Sequence, residues 1–199
     1  FLGMFPAKSF STAADRDQFL ESVSGRAALP GDVFYFQGTT DRSNSWLQKR
    51  AALLEGGSGV VELTAGELNA WVSNRFRPGS AADSDAKGIV MVPQAINFAA
   101  VEDTLYFSLP VEARVYGAEV DFTAIASGRF GEGPGPAFEY HSVFLNSAEI
   151  PLRAGLAKRV VGSFLRAYSE SEEIAALREV WPRVSSVEVV DGRLRVELD

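Results

Sequence analysis

From Val101 to Phe130 apolar residues fall on every second position and then change phase once, at Gly117. Before the glycine the apolar parity is Leu105, Phe107, Leu109, Val111, Ala113 and Val115; after it, Ala118, Val120, Phe122, Ala124 and Ala126. Successive side chains of a strand point to opposite faces, so the pattern predicts two long antiparallel strands joined by a tight turn, with one apolar face. The other parity carries Glu112, Arg114, Glu119, Asp121, Thr123 and Arg129, mixed in sign as a solvated face should be.

Around this hairpin the pattern switches repeatedly between strand and helix periods. Residues 11–24 predict a short helix capped by Ser11 or Thr12, with Phe19, Leu20 and Val23 on one side. Leu29-Pro30-Gly31-Asp32 reads as a turn before the short strand Val33–Phe36, and Asp41–Glu55 as a second helix stopped by Gly56-Gly57-Ser58-Gly59. A strand through Val60–Leu63 leads into a third helix carrying Leu68, Trp71 and Val72. Thr64 and Glu67 fit a capping box at its start, which makes Glu67 a cap rather than a catalytic acid. Arg77 to Lys87 reads as a loop, and Ile89–Phe98 as a strand kinked or at an edge because of Pro93.

After the hairpin, Gly131-Glu132-Gly133-Pro134-Gly135-Pro136 predicts an irregular connection to a strand over Ala137–Leu145, with Phe138, Tyr140 and Phe144 on one face. Ile150-Pro151 introduces a helix over Leu152–Tyr168 whose stripe is Leu156, Val160, Val161, Phe164, Leu165 and Tyr168. A capping box from Ser169 to Glu172 starts another helix that breaks at Pro182. Asp191-Gly192 between alternating runs predicts a closing hairpin. The fold class expected is α+β: a curved antiparallel sheet, meander plus C-terminal hairpin, wrapped on a long amphipathic helix. Residues 1–199 form one domain in this reading, with 1–59 as a helical N-terminal part and 60–199 as the sheet-and-helix core.

Composition narrows the function classes. With 199 residues, 46% hydrophobic and 23% charged, the chain can bury a sizeable core. A net charge of -7 argues against nucleic acid, whose binding needs a basic face. The absence of cysteine removes disulfides, thiolate nucleophiles and cysteine-ligated metal. No run of about 18 apolar residues is present to span a bilayer. The opening Phe1-Leu2-Gly3-Met4-Phe5-Pro6 lacks an initiator Met; it fits a removed export signal or a membrane anchor upstream of residue 1, and equally an arbitrary start.

Candidate chemistry is sparse. His141 is the single histidine and has no Gly-x-Ser-x-Gly elbow to accompany it, so it reads as a solvated or edge residue, and the usual zinc sites are excluded. Asp83-Ser84-Asp85-Ala86-Lys87-Gly88 begins like an EF-hand loop but has Lys87 at the fifth position and Gln94 where the bidentate glutamate belongs. Ser84-Asp85-Ala86-Lys87 also matches Ser-x-x-Lys, without its companion motifs. The glycines of 131–136 come with two prolines and no following Gly-Lys-Ser/Thr, so they do not form a phosphate loop. Glu172 and Glu173 read as charges favoured by a helix N-terminus.

A strand into Leu63-Thr64-Ala65-Gly66-Glu67-Leu68-Asn69-Ala70-Trp71, a meander, the Ile150-Pro151 entry to an amphipathic helix and a closing Val-x-Val-x-Asp-Gly-x-Leu-x-Val hairpin together resemble small bacterial envelope proteins of the tubular lipid-binding (TULIP-like) kind. The resemblance covers about residues 60–198. It implies a curved sheet that wraps a helix and can enclose an elongated apolar cavity, and it carries over no catalytic residue. The expectation is a non-enzymatic, extracytoplasmic domain, periplasmic or on the outer face of a membrane, with or without a membrane anchor, that binds a lipid or other elongated apolar molecule and uses no cofactor. The lining expected from the strand and helix faces is Leu105, Phe107, Leu109, Val120, Phe122, Phe138, Phe144, Leu156, Val160 and Phe164. The same residues would equally fill a solid core. The alternative is then an envelope scaffold that recognises protein through exposed aromatics such as Trp46 or Tyr168. A third class, a hydrolase with a carboxylate pair, would draw on Asp83, Asp85 and Glu132.

Overall fold

The computed structural model describes residues 5–26, 32–76, 89–116, 118–169 and 171–199. The Gly117 turn, the Leu29-Pro30-Gly31 turn and the whole Asp83–Gly88 stretch, with its EF-hand-like and Ser-x-x-Lys matches, lie outside these residues. In chain order the elements are β1 (Lys8–Phe10), α1 (Ala13–Ser22), β2 (Phe34–Phe36), α2 (Ser45–Glu55), β3 (Gly59–Thr64), α3 (Ala65–Arg75), β4 (Ile89–Pro93), β5 (Asn97–Val101), β6 (Thr104–Val115), β7 (Ala118–Phe130), β8 (Phe138–Leu145), β9 (Ala148–Glu149), α4 (Leu156–Leu165), α5 (Glu172–Val180), β10 (Val184–Val190) and β11 (Arg193–Leu198). The fold is α+β with mostly antiparallel open sheets.

The β6–β7 hairpin is the spine of a six-stranded sheet, β4 and β5 both pairing with β6 on one side while β8 and then β9 follow β7 on the other. The stretch expected as one kinked strand is thus two, interrupted after Pro93. The C-terminal hairpin does not join this sheet. β11 pairs with β3, and β10-β11-β3 form a separate antiparallel sheet whose inner face is Val61, Leu63, Val184, Val187, Leu194, Val196 and Leu198, all buried. Its hairpin turn is as predicted, with Asp191 and Gly192 at φ +50° and +70°.

The expectation of one apolar and one solvated face holds only for the end of the hairpin nearest its turn. There Glu112, Glu119 and Asp121 are exposed. At the opposite end Ser108, Ile125 and Ser127 are buried on the supposedly polar parity. The amino-terminal segment supplies part of this cover: β1 and β2 form a small parallel pair, and Phe36 of β2 packs its ring 4.9 Å from that of Tyr106. A bulge at Ser127/Gly128 also shifts the β7–β8 register. As a result Val143 pairs with Ala126 on the core face, while Phe144 pairs with Ile125 on the other face, away from Phe138 and Tyr140.

The helix expected over 152–168 is segmented. Gly155, at φ +67°, separates a 3₁₀ turn over Arg153–Gly155 from the ten residues of α4, and a second 3₁₀ turn follows over Arg166–Tyr168. Of the expected stripe, Val161, Phe164 and Tyr168 are buried, whereas Leu156 is 43% exposed. The next cap lies two residues later than expected: the Ser171 side chain accepts from Ile174 N at the start of α5, and Ser169 instead donates to Arg166 O.

Two asparagines fasten the front of the molecule to the open edge of β5. Asn69 of α3, 3% exposed, donates to Thr39 O (3.0 Å) and Phe98 O (2.9 Å) and accepts from Phe98 N (2.6 Å), so its amide meets the Phe98 backbone as a neighbouring strand would. Asn97 does the same for Gly38, accepting from its N–H and donating to its carbonyl at 2.9 Å each. Gly38 lies so close that a Cβ there would sit 2.1 Å from the Phe98 carbonyl oxygen. Gly38→Ala should therefore cost about 2 kcal/mol or more. Gly57→Ala, whose Cβ meets nothing within 4 Å, should stay within about 0.5 kcal/mol. Urea unfolding of both variants checks the contrast, and equal effects would contradict the close approach.

Candidate functional site

An apolar cavity of about 670 Å³, open to solvent at one side, lies between the helices and the two sheets. Its floor is the inner face of the three-stranded sheet, through Leu63, Val187, Leu194 and Val196. One wall is α3, through Leu68, Trp71 and Val72, with Phe76 just beyond its end. The facing wall is α5 and the 3₁₀ turn after it, through Ile174, Leu177 and Trp181. Gly162 and Leu165 of α4 and Tyr168 of the 3₁₀ turn after it border the cavity, and Phe98, Leu105 and Phe130 border it from the six-stranded sheet.

Local sequence fixes these walls. The predicted capping box is present at α3: Glu67 N donates to Thr64 Oγ1 (3.1 Å), and Thr64 N donates to the Glu67 carboxylate (2.8 Å). The same carboxylate accepts from Lys49 Nζ (2.6 Å) and Ser45 Oγ (2.7 Å) on α2. Burial pushes the Glu67 carboxyl up, but the hydrogen bonds from Lys49, the Thr64 backbone and Ser45 outweigh it and hold its pKa at about 2. The cap thereby becomes the junction of two helices.

Glu173 does more than favour a helix N-terminus. It is 7% exposed and accepts both from the Arg50 guanidinium of α2, with Nη2 2.9 Å from Oε2, and from the Trp71 indole N–H of α3. Burial raises its carboxyl and these bonds lower it further, leaving it below the ordinary carboxylate range. The Trp71 ring that forms the cavity wall is oriented by this bond. Tyr168 is fixed in a similar way, its hydroxyl donating to Gln94 O, and burial pushes its pKa up to about 12.

Of the residues expected to line a ligand site, Leu105 alone lines this cavity. Leu109 is fully enclosed in the core, and Phe122 packs on Phe164 with centroids 5.6 Å apart. Phe107 and Phe138 pack as a tilted pair with centroids 5.7 Å apart, and Val160 is half-buried against the core. Val120, 46% exposed, and Leu156 lie at the surface, and Phe144 occupies the opposite sheet face. Trp46 and Tyr168, the aromatics a protein-docking patch would use, are both buried. His141 and Glu132 are exposed, on β8 and in the β7–β8 loop. Among the described residues no group of three His, Asp or Glu is placed to hold a metal, and no helix is long and apolar enough to cross a membrane.

What the sequence reading missed was the pairing of helix stripe and strand face. Leu68, Trp71 and Val72 and the Val-x-Val/Leu-x-Val hairpin were each visible, and the strand entering the Thr64 cap is the one that pairs with β11. That pairing sets the stripe and the hairpin face opposite one another.

Chemically the cavity offers shape and grease. Among the described residues no buried side-chain polar atom lacks a partner, so none is left pointing inward to recognise a polar group. An apolar lining of this extent accepts an apolar occupant more readily than ordered water. Comparison with protein-family models, curated proteins and solved structures finds no match to this chain.

Both carboxylates titrate lower in the folded protein than in the unfolded chain, so the stability they confer is present in full above about pH 5 and is lost as pH falls through their folded pKa values, about 2 for Glu67. Glu67→Gln should lose about 2–3 kcal/mol at pH 7 and show a flatter fall in melting temperature between about pH 5 and 2. Glu173→Ala, which strands Arg50 and the Trp71 N–H, should lose about 3 kcal/mol or more. Melting curves across this range decide: parallel slopes for the unaltered chain and Glu67→Gln would contradict the assignment.

Proposed function

We propose that the protein is a non-enzymatic binding domain that holds an elongated apolar molecule, a lipid or similar chain, in the cavity between α3, α5 and the three-stranded sheet. The observation that carries this reading is the cavity itself: about 670 Å³, within the range of about 300–1,000 Å³ usual for ligand sites, and almost entirely apolar. The tubular lipid-binding resemblance implies the same class of ligand. In that reading the six-stranded sheet curves round α4, whose Ala157 and Val161 rest on Ala126 and Val143. An extracytoplasmic setting, with or without an anchor, accompanies the proposal.

Native mass spectrometry of protein purified from its own host without detergent tests the reading directly, with a bound apolar molecule expected. A blocking variant gives a second test. A Cβ on Gly162 meets nothing within 4 Å, and this residue lines the cavity. Gly162→Leu should add up to about 1 kcal/mol through helix propensity while lowering affinity for the neutral dye Nile red by about tenfold. Unchanged dye binding by the folded variant, together with no bound molecule in the native protein, would overturn the proposal.

A further inference from the structure

We infer that the ligand is a single-chain amphiphile with an anionic head, its chain in the cavity and its head held at the mouth by Arg166 and Arg178; this rests on the binding role proposed above. In a chain of net charge -7, with 26 acidic residues against 19 basic, the charged residues lining this cavity are both cations. Both are exposed, Arg166 opening the 3₁₀ turn after α4 and Arg178 in the last turn of α5. Cations at helix C-termini are favoured by the helix dipole, which explains their positions along the chain. It does not explain why two arginines line one apolar cavity. Neither is in an ion pair with a carboxylate among the described residues, as holds for Arg42, Arg75, Arg153, Arg159, Arg183 and Arg195 too, so both are available to an anion. Arg178 also lines the adjoining surface groove beside Pro134, Gly135 and Pro182, which puts it where the cavity meets solvent. With every described buried side-chain polar atom satisfied, a polar head gains nothing deeper inside. At the mouth, a carboxylate or phosphate meets planar donors suited to its geometry and stays hydrated.

The test uses the whole chain, stripped of bound lipid, and the fluorescence of its tryptophans, two of whose three rings, Trp71 and Trp181, line the cavity. Laurate, dodecyl phosphate and dodecanol share one chain and differ in head. The two anions should bind about tenfold more tightly than the alcohol, and in R166Q/R178Q that preference should fall to within about twofold. A preference for laurate alone or for dodecyl phosphate alone, abolished in the variant, supports the inference and identifies the head. Equal binding of all three by the unaltered chain overturns anionic recognition and leaves the apolar-cavity reading standing. A preference that survives in the variant overturns the role of these arginines, and binding of none of the three overturns both readings.

Discussion

The position of α5 depends on one buried carboxylate. Glu173, on the first turn of that helix, is gripped by Arg50 from α2 and by the Trp71 indole from α3, so a single side chain ties three helices together. A buried charge left unpaired is severely unfavourable, and replacing Arg50 would leave one, while replacing Trp71 would remove a neutral donor from the same carboxylate. Leu177 of α5 and Leu194 and Val196 of the three-stranded sheet line the same cavity.

The division into two sheets follows from pairing. β3 ends in the Thr64 cap, and its partner is the C-terminal hairpin rather than the meander. The three-stranded sheet and the six-stranded sheet thus face the helices from different sides, and the space they leave is closed by α3, α4 and α5. Flat stacking of the sheets would have given a solid sandwich core. Glu67 and Glu173 tie the helices to one another, and the apolar walls between them and the three-stranded sheet are the physical basis of the proposed binding role.

Much of the fold was legible locally. The β6–β7 hairpin, the Thr64–Glu67 cap and the Asp191-Gly192 turn all follow from short-range rules of parity, capping and left-handed backbone. Long-range partners were not. Nothing in the spacing of Val187 to Leu198 says that this hairpin pairs with Val60–Thr64, and the expected single curved sheet gives way on that point. The burial of Ile125 and Ser127 depends on amino-terminal residues that pack across the sheet from far along the sequence. The register shift at Ser127/Gly128, which sends Phe144 to the other face, leaves an alternating sequence that reads the same with or without a bulge. The candidate site suffered most because it is a space between elements: Leu105 was found from its strand, while Trp71, Leu177 and Leu194 face one another only once the Glu173 tie and the β3–β11 pairing are known.

The most direct measurement is a crystal structure of the chain purified from its own host without stripping. Continuous, elongated electron density lying between Trp71, Leu177 and Leu194 and ending near Arg166 and Arg178 is the expected result. An interior closed by side chains, with α5 collapsed onto the three-stranded sheet and no residual density, would contradict a ligand-binding role.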